Sequence, residues 1–310
     1  MDFSPSLVLA GLIVGLMVGL TGMGGGALMT PILVLIFKVD PVLAIGSDLV
    51  VSLVMKPFGA AVHHKAGTIQ WGMIRWLVPF AVPAGFAGAY LIDFLGNGDD
   101  LKQNVKYAIG TALLLAVIGM IARILIGELR NQTTPLAKGE KLTIRPLPTA
   151  IVGVIGGLIV GLTSVGSGSL IIVCMMLIYP RLRAKDLVGT DLFQAIPLVG
   201  AAALGHLLHG SVAFTLTGTL LLGAIPGTYL GAKLSTKAPN SVLKWVLAVL
   251  LLGSGLTLLG IDQRIMFAGC IALAITGMEM TSARTKHPLA IRYRNITRLK
   301  FLKQAEEKAG

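Results

Sequence analysis

Charged side chains are scarce in this chain. Of its 310 residues only 13% are charged, while 55% are hydrophobic, and the mean hydropathy is +0.83. Soluble globular domains carry about 25% charged residues, because their surfaces need polar side chains to face water. The shortage of charge therefore excludes a soluble enzyme, a nucleic-acid-binding protein and a disordered protein. The composition predicts an integral membrane protein.

Cysteine and acidic residues are also few. The two cysteines, Cys174 and Cys270, both lie inside apolar runs, so no disulfide framework is expected. Lys and Arg outnumber Asp and Glu by 26 to 14, but they stand between apolar runs, as in cytoplasmic loops, which argues against a nucleic-acid partner. No basic residue precedes the first apolar stretch, so we expect residues 1–37 to belong to the mature structure.

The apolar residues form long runs separated by charges and by proline or glycine. A helix needs roughly 20 residues to cross about 30 Å of hydrocarbon, and most of these runs fit one crossing each. The alternating pattern of a membrane β-strand is absent. The fold class is therefore predicted to be an all-α polytopic helical bundle. The runs are 7–37, 42–62, 72–95, 105–127, 148–180, 187–209, 213–234, 242–261 and 265–281.

Two of the runs are too long and are broken in the middle. Glycines at 22 and 24–26 interrupt the run 7–37, and alternating serine and glycine at 164–169 interrupts the run 148–180. Glycine costs about 1 kcal/mol inside a helix relative to alanine. Broken backbone at membrane depth is tolerated only where protein or water satisfies its polar groups. We expect both first helices to be broken here.

The two halves of the chain repeat each other. The block GLMVGLT at 15–21 matches GLIVGLT at 157–163, and Gly-Ser-Asp at 46–48 matches Gly-Thr-Asp at 189–191. His63 matches His206 at the same offset of 143. Landmarks in one order and at one spacing indicate a duplicated unit, which is common among transporters.

The distribution of Lys and Arg favours re-entrant hairpins at the two breaks. Hairpins place 21 of these residues on one face and 4 on the other, whereas two full crossings give 17 and 8. The repeats are then inverted, with the N-terminus outside and the C-terminus in the cytoplasm; parallel repeats are the alternative. The predicted units are a first repeat at 1–130, a cytoplasmic linker at 131–147, a second repeat at 148–261, an additional hydrophobic segment at 262–281 and a basic tail at 282–310.

Broken helices at membrane depth point their N-terminal amides and dipoles inward, an arrangement suited to an anion. Hydroxyls beside those amides would add donors. The alternative is that the glycines only allow close helix packing. The candidate binding residues at the breaks are Thr21, Gly24, Gly25, Gly26, Thr163, Ser164, Gly166, Ser167, Gly168 and Ser169.

Ionisable and polar residues inside the apolar runs complete the candidate site. Lys56 would be a counter-charge for an anion; alternatively it snorkels to the cytoplasmic end or pairs with Asp48. Asp48 and Asp191 would carry protons or hold the shape of the breaks, and Asp40-Pro41 would cap the helix that carries Asp48. Among the remaining candidates, Gln194 would donate hydrogen bonds, and His63 and His206 would suit a proton-coupled step. No third ligand accompanies the histidines, so no metal site is predicted.

The glycine blocks, the Gly-Ser-Asp and Gly-Thr-Asp blocks and the later histidines resemble the sulfite exporter TauE/SafE family of membrane permeases over roughly residues 7–260. The resemblance implies transport of small anions, such as sulfite or sulfonates, across the bacterial cytoplasmic membrane. The ninth apolar run at 265–281 and the serines of the second block depart from the family's pattern.

Together these features predict a secondary transporter for a small anion that works by alternating access, with proton coupling left open. The alternatives are a passive anion channel and a membrane enzyme that uses the buried His and Asp residues. No cofactor is expected, and no Walker A loop indicates direct use of ATP. The expected partners are the anion and the lipid bilayer, with anionic lipid beneath the basic tail, and a homodimer stays open.

Overall fold

The computed structural model describes residues 4–21, 25–65, 67–129, 142–168, 170–182, 184–234 and 240–286, and this part of the chain contains no β-strand. This confirms the predicted all-α class. Most of the predicted linker and tail fall on 130–141 and 287–310, outside the described residues. The helices are α1 (Pro5–Thr21), α2 (Gly26–Leu35), α3 (Pro41–Lys65), α4 (Trp71–Tyr90), α5 (Gly98–Leu129), α6 (Pro146–Thr163), α7 (Leu170–Ile178), α8 (Ala184–Leu208), α9 (Phe214–Leu234), α10 (Asn240–Leu258) and α11 (Gln263–Lys286).

Several of these helices suit a bilayer. By length and composition, the segments able to cross a membrane are Pro41–Lys65, Trp71–Leu95, Gly98–Ala122, Pro146–Thr163 and Asp186–Leu208. The helices α1 and α2 are apolar but shorter. Large apolar side chains such as Ile118 and Phe214 are more than half exposed on the outside of the bundle, where only lipid would cover them. The chain is therefore a multi-pass membrane protein.

The start of α3 shows how local sequence sets the helix boundaries. Asp40 Oδ1 accepts a hydrogen bond from the N–H of Val42 at 3.0 Å, and Pro41 occupies the first helical position. A carboxylate cap satisfies an amide that has no partner within the helix, and proline needs none there. This confirms the predicted cap and places Asp48 about two turns inside α3.

Two helix pairs, α1 with α9 and α4 with α6, form the most extensive contacts of the bundle. Glycines of the first and sixth helices lie directly against the main chain of the partner helix, where a Cβ atom would overlap backbone atoms. Gly15 faces Ala224 in this way, and Gly157 faces Ala81. Small residues permit this close approach in a bilayer. The glycines concerned are Gly11, Gly15, Gly153, Gly157 and Gly161.

The helices α3 and α8, which carry the repeated Gly-Ser-Asp and Gly-Thr-Asp blocks, pack against each other in the centre. Gly59 lies beside Leu192, whereas Gly200 lies beside Leu53. Rising positions on one helix meet falling positions on the other, so α3 and α8 run antiparallel. The helices α10 and α11 pack against each other, with α10 also against α5.

Hydroxyls from the repeated blocks join the two halves of the chain. Ser47 Oγ accepts a hydrogen bond from the N–H of Ala213 at 3.2 Å, and Thr190 Oγ1 accepts one from the N–H of Gln70 at 2.9 Å. Each donor stands just before or at the start of the fourth helix of the other half. The two contacts join positions that correspond in the sequence repeat, because both members differ by 143.

Candidate functional site

The two helix breaks meet inside the bundle. The first lies between Thr21 at the end of α1 and Gly26 at the start of α2, and the second separates α6 from α7. The backbone of Gly26 lies against Ser164: a methyl group on Gly26 would overlap the carbonyl oxygen of Ser164 and lie 2.8 Å from its Oγ. Both residues are buried. Two predicted binding residues, Gly24 and Ser169, lie outside the described residues.

Asp48 is the centre of a buried hydrogen-bond cluster. Its Oδ2 accepts hydrogen bonds from Thr30 Oγ1 at 2.6 Å and from Ser164 Oγ at 2.9 Å. Its Oδ1 accepts a longer one from Ser52 Oγ at 3.4 Å. A buried carboxylate is tolerated only when such donors replace water. The cluster therefore ties α2 and α3 of the first half to the break of the second half.

Lys56 lies one turn beyond Ser52 on α3 and is only 3% exposed. Its Nζ donates a hydrogen bond to Ser167 Oγ in the second break at 3.0 Å. Both Asp191 and Asp48 attract its ammonium electrostatically. The side chain stays inside the protein, which contradicts the alternative that it snorkels to the cytoplasmic end. A buried cation thus stands beside a helix break, between two carboxylates.

Asp191 and Gln194 lie one turn apart on α8. Gln194 Nε2 donates to Asp191 Oδ1 at 3.1 Å, and the residue is fully buried. Its other polar atom, Oε1, has no hydrogen-bond donor among the described residues. The contact of Gln194 is therefore with its own helix, and its amide oxygen is left over.

The threonines at the ends of α1 and α6 bond mainly to their own helices. Thr21 Oγ1 donates to the carbonyl oxygen of Met17, and Thr163 Oγ1 donates to that of Ile159, both at 2.7 Å. Thr163 Oγ1 also accepts a hydrogen bond from the N–H of Val165 at 3.2 Å. Their hydroxyl protons are thus given to carbonyl groups at the helix ends.

The remaining glycine positions shape the breaks. Gly166 has a φ of 116°, a conformation that side chains rarely adopt, and Gly168 is buried beside it. Gly25 packs close to Ser52, since a Cβ there would lie 3.3 Å from Ser52 Oγ, and to Met55, whose Cε would be 2.7 Å away. These glycines let the backbone of each break approach its neighbours closely.

The two histidines lie apart from this centre. His63 and His206 each follow the conserved-spacing aspartate of their own helix by 15 residues, which is about 22 Å at 1.5 Å per residue. His63 Nδ1 lies 2.9 Å from Thr68 Oγ1, and His206 Nε2 lies 2.8 Å from the carbonyl oxygen of Gly161. Within the described ranges, no three His, Cys, Asp or Glu residues come together as a metal site.

Sequence reasoning missed Thr30 and Ser52 as donors to Asp48. Ser52 stands four residues after Asp48 on one helix, a spacing that puts both on one face, so a signal was present. Thr30 gave none, because the corresponding position of the second half is Ile172.

A multi-pass helical bundle that buries a lysine and two aspartates beside broken helices belongs to the class of membrane transporters. The family profile described as Sulfite exporter TauE/SafE matches residues 7–258, and the chain belongs to this family.

Its relatives carry transporter names. The chain is 38% identical over 261 residues to "Probable membrane transporter protein YjnA" of Bacillus subtilis (strain 168), covering 83% of this chain and 100% of that protein. It is 27% identical to YdhB of the same organism, covering 77% and 93%. It is 28% identical to MJ0441 of Methanocaldococcus jannaschii, covering 82% and 95%. No solved structure matches the chain.

Proposed function

We propose that this chain is a secondary transporter that moves a small anion, sulfite or an organosulfonate, across the bacterial cytoplasmic membrane by alternating access. The observation that carries the proposal is the Lys56 ammonium, which is buried at membrane depth and bonded to Ser167 in the second break. A cation in this position is costly unless it serves an anion or a structural pair. The name of the family supports sulfite as the first substrate to test.

The proposed binding site lies near the midplane between the two breaks. Lys56 supplies positive charge, Ser167 a hydroxyl, and the break backbone its amides. In the closed state described above, Gly26 touches Ser164, so the anion would enter when the two breaks separate. This direct contact also disfavours a passive channel, since a pore needs a continuous open path.

The two halves are proposed to be inverted repeats with re-entrant first hairpins. Three helix directions support this arrangement. The equivalent helices α3 and α8 are antiparallel, and α9 reverses direction after α8 through the short connection at 209–213. The helix α1 runs parallel to α9, since Gly11 faces Leu220 and Gly15 faces Ala224. Consequently α1 and α3 point the same way, and α2 returns between them.

Coupling and orientation are the remaining parts of the proposal. Asp48 and Asp191 are the proposed coupling groups, because both lie close to Lys56 in charge interactions and both are buried. His63 and His206, at the helix ends, would relay protons to water. The N-terminus is placed outside and the basic tail in the cytoplasm by the distribution of Lys and Arg.

The test is counterflow in proteoliposomes that contain the full chain. Vesicles loaded with unlabelled sulfite should take up labelled sulfite faster than empty vesicles, with saturation, and Lys56→Met should lose this uptake. Gly218→Ala, at a position with no neighbour within 4 Å, is the control that should transport normally. A conductance without saturation would favour the channel. Product formation by the protein in detergent, without two compartments, would favour an enzyme.

A further inference from the structure

One buried polar atom has no role in the cluster described so far. Gln194 is 0% exposed, its Nε2 donates to Asp191 Oδ1, and its Oε1 has no donor among the described residues. Buried acceptors in native proteins nearly always have a partner, so an empty one calls for an explanation. A ligand that brings its own donor would supply the missing partner.

The orientation of this amide is set by Asp191. If the amide were reversed, its carbonyl oxygen would face the carboxylate oxygen and two acceptors would meet. The N–H group must therefore point to Asp191, and Oε1 must point away from it. The acceptor is fixed in place before any ligand arrives.

The neighbours of Gln194 belong to the proposed anion site. Asp191 interacts electrostatically with Lys56, and Lys56 is bonded to Ser167. A ligand with acceptor atoms alone would satisfy the ammonium but would leave Oε1 without a donor. The corresponding position of the first half is Val51, so this acceptor occurs once and gives the site two chemically different ends.

We propose that the transported ligand is a small anion that carries its own hydrogen-bond donor, an O–H or N–H group that binds Gln194 Oε1 while the anionic group binds Lys56. This inference rests on the proposed function and narrows its substrate class. Hydroxy- and amino-substituted sulfonates and protonated oxyanions fit; unsubstituted alkyl sulfonates do not. Discrimination is expected because the donor-free analogue leaves a buried acceptor unpaired.

The test compares ligands that differ by one hydroxyl. Affinities of the purified full chain are measured by calorimetry for 2-hydroxyethanesulfonate against ethanesulfonate, and for hydroxymethanesulfonate against methanesulfonate. The hydroxylated member of at least one pair should bind about tenfold or more tightly. In Gln194→Met this preference should fall to about one, while the donor-free sulfonate still binds. Leu204→Met, on the lipid-exposed side of the same helix, is the matched control and should keep the preference.

The outcomes separate this inference from the proposed function. Equal affinities within both pairs overturn the inference alone, because Oε1 is then satisfied by something other than the ligand, such as a water molecule. A preference that survives in Gln194→Met also overturns it. If no sulfonate binds and no sulfite counterflow occurs, both proposals are overturned. The comparison with wild-type protein decides even if the variant does not fold.

Discussion

Replacing Gly26 by alanine tests whether the two helix breaks touch. The added Cβ would overlap the carbonyl oxygen of Ser164 and lie 2.8 Å from its Oγ and 2.9 Å from its carbonyl carbon, whereas ordinary contacts begin at 3.4 Å. Ser164 must therefore move by half an ångström or more. Because the obstacle is main chain rather than a flexible side chain, the second break has to move as a unit.

Two costs follow from that movement. Overpacking a tight interior costs about 1–3 kcal/mol. The hydrogen bond from Ser164 to Asp48, 2.9 Å long, would stretch or break, and hydrogen bonds to charged groups contribute about 1.5–3 kcal/mol. We expect Gly26→Ala to lower the free energy of unfolding by roughly 3–5 kcal/mol, the sum of these two effects. Uptake should fall to the level of empty vesicles.

The measurement is thermal unfolding in detergent together with counterflow in proteoliposomes. Gly218→Ala in α9 is the matched control, since nothing lies within 4 Å of its added Cβ. It should be as stable as wild type or more stable by up to about 1 kcal/mol, because alanine favours a helix. If Gly26→Ala unfolds and transports like wild type, the breaks are not in contact and the reasoning fails.

Three further changes probe other contacts. Asp48→Asn should make uptake insensitive to an imposed pH gradient while anion binding persists; a retained response to the gradient would contradict a coupling role. Thr190→Val removes the acceptor for the N–H of Gln70 and should destabilise by about 1–3 kcal/mol in thermal unfolding, and Thr190→Ser should restore stability. Cysteines at Gly59 and Leu192 should cross-link within one chain with a short thiol reagent; cross-links confined to the singly substituted chains would refute the antiparallel crossing of α3 and α8.

Much of the fold could be predicted because the bilayer restricts the choices. Spanning segments must satisfy their own backbone, so apolar runs become helices and their ends follow charge and proline. Asp40 and Pro41 illustrate this, since both the predicted cap and the start of α3 are found. The breaks could be located for the same reason, as clustered glycine is costly within a helix.

The partners of the polar residues could not be predicted, because they depend on how helices cross. Asp48 was expected to bond to a neighbouring break, but no pattern indicated that its donor would be Ser164, more than a hundred residues away. Lys56 reaches Ser167 over a similar separation. The unpaired oxygen of Gln194 depends on the direction of one amide, which composition and spacing do not encode.

The pairing of α1 with α9 has a consequence for how the protein is made. The first helix leaves the ribosome about 200 residues before its main partner is synthesised. Until then its glycine-lined surface faces lipid, the insertion machinery or a chaperone. An N-terminal half expressed alone should therefore be degraded, and coexpression with the C-terminal half should rescue it.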